Sequence, residues 1–376
     1  MKKGWRSVRA GDVIVENPKS KLKVRDSISD GEYPFYTSGV SINSFDDFLC
    51  DGNNLFIATG GKACFQYYQG KAAYSTGCYS VTTRSGFAPK FLFYFLDSIL
   101  EDIESNMFEG AALRHLQKTK FREILVPCPP LVEQQRIVGL LDEAFEGLAT
   151  ANANAEKNLQ NARALFESHL QSVFTQRGPG WLDSTIGAEI KFIDYRGKTP
   201  VKTTSGVRLI TAKNVKMGFL QETPMEFIAA ASYKGWMTRG IPQKGDVLFT
   251  TEAPLANVAQ LDTDEKVAFA QRIIIMQPNA ARLDSTFLKY LLLSQPVQQR
   301  IRTKGTGATV QGIKASLLKL IAISFPKSLT TQEEIVSKLD DLREETQRLA
   351  RLYERKHAAL EALKKSLLHQ AFSGGL

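Results

Sequence analysis

The chain lacks most of what enzyme classes need. Its four histidines, His115, His169, His357 and His369, have no Cys or His partner at metal-ligand spacing, so no zinc site is expected. The four cysteines, Cys50, Cys64, Cys78 and Cys128, form no Cys-x-x-Cys pair and are too sparse for a disulfide framework; they are expected to be reduced and mostly buried. Gly197-Lys198-Thr199 ends like a phosphate loop, but Phe192 stands where the loop's first glycine must be. No His-Glu-x-x-His, Gly-x-Ser-x-Gly or Gly-x-Gly-x-x-Gly occurs, nor an Asn-Pro-Pro-Tyr or Asp-Pro-Pro-Phe type of motif, so no catalytic apparatus is expected. No apolar run approaches bilayer length, and Met1-Lys2-Lys3 leads into Gly4-Trp5-Arg6 rather than an apolar signal core. No membrane partner and a cytoplasmic location are the expectation.

What is present is ordinary globular material: 376 residues, 43% hydrophobic and 23% charged, enough for two or three folding units. The net charge of +9 is unevenly spread. Residues 180–328 hold 20 basic against 11 acidic side chains, and the rest of the chain nearly balances. A surplus confined to one segment favours a polyanionic partner over a merely solvated surface.

The most informative feature is a repeat of very long period. Gly4-Trp5 matches Gly180-Trp181, Gly11 matches Gly187, and Ile14 matches Ile190. The stretch Gly110–Pro129 aligns with Gly307–Pro326, and Leu131–Thr175 then aligns without a gap with Leu329–Ser373. Between these matched beginnings and ends the interiors show no alignment, so the order is variable, constant, variable, constant.

The constant segments read as helices of about 45 residues, about 65 Å long at 1.5 Å per residue. Ile137, Leu141, Ala144, Leu148, Ala151, Ala155, Leu159, Ala162, Phe166 and Leu170 recur at steps of three and four, as do Ile335, Leu339, Leu342, Leu349, Tyr353, Leu360, Leu363 and Leu367. Pro129-Pro130 precede the first helix, Gly178-Pro179 follow it, and Thr330 with Glu333 suits a capping box on the second. A lone helix of this length with one apolar stripe needs a partner, and the nearest is its own repeat, packed antiparallel. The variable segments alternate β-rich runs (54–59, 73–81, 245–250, 272–276) with Gly turns and helical stretches at 90–104 and 285–302. The expected fold class is α+β: two globular α/β domains joined by two long helices as an antiparallel coiled coil, a pseudo-twofold internal repeat. The boundaries are 1–130 for the first domain, 131–177 for the first spacer helix, 178–328 for the second domain and 329–376 for the second spacer helix.

These residues resemble the DNA-specificity subunits of type I restriction-modification enzymes over nearly the whole chain. The sharpest piece is Pro129-Pro-Leu-Val-Glu-Gln-Gln-Arg-Ile-Val138, similar to the helix-opening motif that follows a target-recognition domain in that family. Arg196-Gly-Lys-Thr-Pro200, Gly206–Val215 and Gly245–Thr250 are similar to the opening and middle of such domains. The second helix opening, Lys327-Ser-Leu-Thr-Thr-Gln-Glu-Glu-Ile-Val336, departs from the pattern.

The resemblance implies a non-catalytic subunit in which 1–130 and 178–328 are target-recognition domains. These would read a two-part double-stranded DNA target, and the helices would set the spacing between its parts. It implies two DNA methyltransferase (modification) subunits and restriction/translocase subunits as partners. S-adenosylmethionine, ATP and Mg would be bound on those partners and no cofactor on this chain. Residues that would hold phosphates or read bases are Lys62, Tyr67, Tyr68, Lys71, Tyr74, Arg84 and Arg114 in the first domain. In the second they are Arg196, Lys198, Lys202, Arg208, Lys213, Asn214, Lys216, Lys234, Trp236, Arg239, Arg272 and Lys304. A free-standing DNA-modifying enzyme and a coiled-coil scaffold with no interest in nucleic acid are the alternative readings.

Overall fold

The computed structural model describes residues 5–195, 199–307, 311–373 and 375. It divides into unit 1 (1–157 with 353–376) and unit 2 (158–352). The two constant segments are continuous helices, Leu131–Thr175 and Leu329–Ser373. Ser328 Oγ accepts the Thr331 N–H at 3.3 Å, so Ser328 caps the second helix in place of the expected Thr330–Glu333 box.

In unit 1 a four-stranded antiparallel sheet runs in the order Ile14–Glu16, Cys78–Thr83, Asn53–Ala58, Phe65–Gln69. A three-stranded sheet, Asn43–Phe45, Tyr33–Tyr36, Ala73–Tyr74, has one antiparallel and one parallel pairing. A two-stranded ribbon pairs Arg6–Arg9 with Leu125–Cys128, which brings the head's first and last strands together. The expected run over 73–81 is two strands because the chain turns at Thr76-Gly77 and each half joins a different sheet.

Unit 2 repeats this plan, except that a short ribbon of unit 1, Phe108–Glu109 with His115–Leu116, is reduced to the single bridge Thr306–Gly312. Its four-stranded sheet is Ile190–Asp194, Ile273–Pro278, Val247–Thr250, Val258–Gln260. Its three-stranded sheet is Glu226–Ile228, Val207–Ile210, Val267–Phe269, again with one antiparallel and one parallel pair. Its ribbon pairs Trp181–Thr185 with Ala322–Pro326. The interiors that do not align in sequence therefore share one topology. Each also carries a broken helix where the sequence suggests a single one. Pro89–Ser98 and Leu100–Met107 break at Ile99, and Ser285–Leu293 and Gln295–Lys304 break at Ser294, just before a proline whose missing N–H cannot continue the ladder.

The long helices form part of both cores. Unit 1 buries Ile137 and Leu141 from the start of the first helix beside Leu368, Ala371 and Phe372 from the end of the second. Unit 2 buries Leu339 beside Leu170 and Phe174. Phe372 meets Phe91 edge-on at 5.2 Å, and Phe174 meets Phe287 at 5.4 Å in the same way. Within unit 1, Asn152 Nδ2 donates to Glu361 Oε1 at 3.1 Å, and the Lys364 ammonium lies 5.6 Å from the Phe145 ring centre. In unit 2, Arg163 and Phe166 line one groove with Arg343, Thr346 and Ala350. Residue numbers that rise on one helix fall on the other, the signature of antiparallel packing. Ile137, Leu141, Leu170 and Leu339 are buried, and Leu148, Leu159, Phe166, Ile335, Leu342, Leu349, Tyr353, Leu360 and Leu367 are half-buried. Leu363 does not join the stripe. It is 46% exposed, as is its repeat partner Leu165 at 51%, and Leu368 takes the covered place.

Candidate nucleic-acid interface

Three loops converge at one rim of each four-stranded sheet, tied together by a threonine. In unit 1 the Thr59 N–H donates to Gly77 O at 3.0 Å, and Thr59 O accepts from the Leu116 N–H at 3.0 Å. In unit 2 the Thr251 N–H donates to Arg272 O at 2.9 Å, and Thr251 O accepts from Ile313 at 2.9 Å. The rims are thus equivalent, although their side chains differ.

At the unit 1 rim, Lys62 is exposed on the turn after Gly60-Gly61, and the Gly61 N–H is held by Arg114 O at 2.9 Å. Gly61 has φ +85°, a left-handed turn that glycine adopts without strain. At the unit 2 rim, three non-glycine residues, Ala253, Ala256 and Arg272, have φ of +46°, +66° and +79°. Such conformations persist only where the surroundings over-determine them, and they are characteristic of ligand-contacting loops. Arg272 pairs with Glu252 at 2.9 Å while both remain about half exposed, so its guanidinium is presented at the surface. Lys304 is exposed at the end of its helix, leading into the third loop.

Unit 1 carries a basic run that the sequence reading passed over. Lys19, Lys21, Lys23 and Arg25 are all exposed, along a segment that ends in the short 3-10 turn Val24–Asp26, and none has an ion pair among the described residues. Two hydrogen bonds hold this segment against the chain that leads into the rim: Tyr74 OH donates to Pro18 O at 2.5 Å, and the Thr76 N–H donates to Leu22 O at 2.7 Å. The Lys-x-Lys-x-Lys alternation was the available signal. In unit 2 the same position after the first sheet strand holds Arg196, Lys198 and Lys202. Arg196 and Lys198 lie outside the described residues, and Lys202 pairs with Glu226 at 2.8 Å.

Several expected contacts are structural instead. Tyr74 is 1% exposed; its hydroxyl is spent on Pro18, and burial pushes it up to about 12. Asn214 is 1% exposed with its amide saturated: Oδ1 accepts from the Thr211 N–H, and Nδ2 donates to Gln221 O and Pro224 O, each near 3 Å. It shapes the turn that displays its neighbours Lys213, exposed, and Lys216, half-exposed. Tyr67 turns inward, donating to Asn53 Oδ1 with its ring 6.0 Å from Phe93. Tyr68 packs on Tyr36, and Lys71 covers the Phe48 ring at 4.6 Å. The Arg114 guanidinium donates to Phe108 O and Glu104 O, so it fastens the rim loop. Trp236 stacks on Tyr195 and donates Nε1–H to Phe269 O at 3.0 Å; Lys234 and Arg239 are exposed beside it, with Arg239 Nη1 donating to Asp194 O at 2.5 Å. Arg208 is half-buried on the three-stranded sheet, and Arg84 lies at the far end of the Cys78–Thr83 strand from the rim. The rims thus bring together Lys62 in one unit and Arg272 with Lys304 in the other, and leave Arg84, Lys71 and Arg208 elsewhere.

The cysteines are free, with Cys50 and Cys78 buried and Cys64 and Cys128 half-buried. Among the described residues no three His, Cys, Asp or Glu side chains converge as a metal site, and no helix is long and apolar enough to cross a membrane.

A family model described as the type I restriction modification DNA specificity domain matches residues 2–160 and 209–354. The chain is 20% identical to the type I restriction enzyme MjaVIII specificity subunit of Methanocaldococcus jannaschii over 98% of this chain and 92% of that one. It is 24% identical to the EcoDI specificity subunit of Escherichia coli over 41% of this chain and 34% of that protein. Among solved structures, the HsdS subunit from Thermoanaerobacter tengcongensis has TM-score 0.61 at 19% identity, covering 100% of this chain and 98% of that one. A chain from a structure concerning complex assembly and conformational transition of the type I R-M system has TM-score 0.78 at 20% identity, covering 100% and 99%.

Proposed function

This chain belongs to the type I restriction-modification DNA specificity family, and from that premise we propose that it reads a two-part DNA target and leaves catalysis to its partners. Unit 1 and unit 2 each contact one half-site through the rim loops, and the paired helices fix the number of base pairs between them. The observation that carries this reading is the recurrence of one head topology on two continuous 45-residue helices. A protein with a single active site has no need of two such heads.

Exposed cations hold phosphates and set the register: Lys19, Lys21, Lys23, Arg25 and Lys62 in unit 1, and Lys213, Lys234 and Lys304 in unit 2. Base selection falls to the rim loops, where Arg272 has the fork geometry that suits a guanine edge. Two methyltransferase subunits dock on the repeated helix openings, and S-adenosylmethionine, ATP and Mg are bound on the methyltransferase and restriction subunits. Mapping the methylated sequence in cells that carry the whole complex tests this. A motif of two short specified blocks around a constant unspecified gap supports the reading. A single continuous motif, or methyl transfer by this chain alone, contradicts it.

A further inference from the structure

The two heads share almost no aligned interior sequence, yet the same polar joint fastens each to its long helix. In unit 1, Gln134 is fully buried in the helix's first turns. Its Oε1 accepts the N–H of Ala88 at 2.8 Å, at the N-cap of helix Pro89–Ser98, and its Nε2 donates to Pro129 O at 2.9 Å. Eight residues further along, Asp142 Oδ1 accepts the Tyr94 hydroxyl from the same head helix. In unit 2, Gln332 is likewise fully buried, accepting from the N–H of Asp284 at 2.8 Å and donating to Pro326 O at 2.7 Å. Eight residues on, Asp340 Oδ1 accepts the Tyr290 hydroxyl.

The spacing explains what such a joint does. Eight helical residues separate the two contacts by about 12 Å on the long helix, against about 9 Å for the six residues on the head helix. One contact is a pivot, whereas two at different heights fix the angle between the rods. A buried amide left unpaired is heavily penalised, so each joint adds a directional constraint to the apolar packing around it.

We propose that Gln134 with the Tyr94–Asp142 pair, and Gln332 with the Tyr290–Asp340 pair, are positioning residues that fix the angle of each head on its helix and thereby restrict the complex to a single spacer length. This rests on the reading that the helices act as a ruler. A domain of about 150 residues has a radius of gyration of about 15 Å. Over a lever arm of that length a rotation of about 13° moves the rim by about 3.4 Å, one base-pair step. A stiff spacer with loose joints measures nothing.

The test uses the assembled modification complex and duplexes carrying the mapped half-sites with gaps from two base pairs shorter to two longer than the natural one. Wild type should methylate one gap about a hundredfold better than its neighbours, the scale of one strong mismatch. The complex with Gln134→Leu, Tyr94→Phe, Gln332→Leu and Tyr290→Phe should keep both half-sites but fall below about a tenfold preference. Tyr94→Phe with Tyr290→Phe alone removes only two hydroxyls and should broaden the profile in the same direction, so the test survives poor folding of the fourfold variant. Asp142→Asn with Asp340→Asn keeps an oxygen acceptor for each tyrosine while removing the ion pairs to Lys90 and Lys289, and should keep the single gap. If wild type is strict and both latch variants are equally strict, the joint is merely structural and the inference is overturned while the ruler stands. If wild type itself accepts several gaps, the ruler reading fails, and this inference with it.

Discussion

Neutralising the basic run of unit 1 offers a quantitative check on where DNA lies. Lys19, Lys21, Lys23 and Arg25 are exposed, without an ion pair among the described residues, and tied to the rim through Pro18 O and Leu22 O. Each phosphate contact contributes about −0.9 to the slope of log K against log salt, so four contacts account for about −3.6. Between 50 and 200 mM salt that is about two powers of ten in affinity. Replacing all four by glutamine removes charge from exposed side chains and leaves the backbone contacts of the segment in place, so folding should be unchanged in thermal melts. Fluorescence anisotropy of a labelled target duplex, titrated with the complex at several salt concentrations, should show the slope flattened by two to four, with the half-site preference retained. A slope that stays the same would place the DNA away from this segment and refute the assignment.

Other outcomes follow from the same geometry. Arg272→Ala should cost about 1–3 kcal/mol on the cognate unit 2 half-site and relax preference at one position, whereas a uniform loss on all sequences would reduce it to a phosphate contact. Leu339→Ala should destabilise by about 2–5 kcal/mol in denaturant melts, because it empties a fully buried place where helix and head meet, whereas Leu363→Ala should cost under about 1 kcal/mol. Lys289 is buried beside Asp340 and Tyr290, and burial holds its ammonium below the usual lysine range. The unfolded chain therefore binds more protons between that lowered value and 10.5, stability rises with pH through this window, and the burial cost is largest at neutral pH. Lys289→Met should shift Tm more favourably at pH 7 than near pH 10; a benefit that grew with pH would show the sign to be wrong. Cys50 and Cys78, pushed by burial up to about 11 and about 12, should react with iodoacetamide at pH 8 far more slowly than they do in the unfolded chain.

The long helices and the repeat were legible because periodicity is a property of spacing alone. Leu141 and Leu339 declare themselves as part of a stripe whatever surrounds them, and both are buried. The common topology of the heads was not legible. Strand pairing is made by backbone groups, so Asn53–Ala58 and Val247–Thr250 occupy one place in the fold while sharing little beyond a short buried apolar run, too common a pattern to reveal the match. Tyr74 and Asn214 show the same gap between type and role. A tyrosine or an asparagine in a polar, glycine-punctuated stretch reads as a surface contact until the chain closes over it. Gln332 shows the reverse. The second helix opening departs from the first in most residues, but it keeps the one amide that binds the head.

In the proposed reading, distance along the helices becomes distance along DNA. Adding one heptad to both helices, in register, preserves the apolar seam and lengthens each by about 10.5 Å, roughly three base-pair steps. Mapping methylation by the altered complex should find both half-sites unchanged and the gap between them longer by about three base pairs. An unchanged gap would contradict the account.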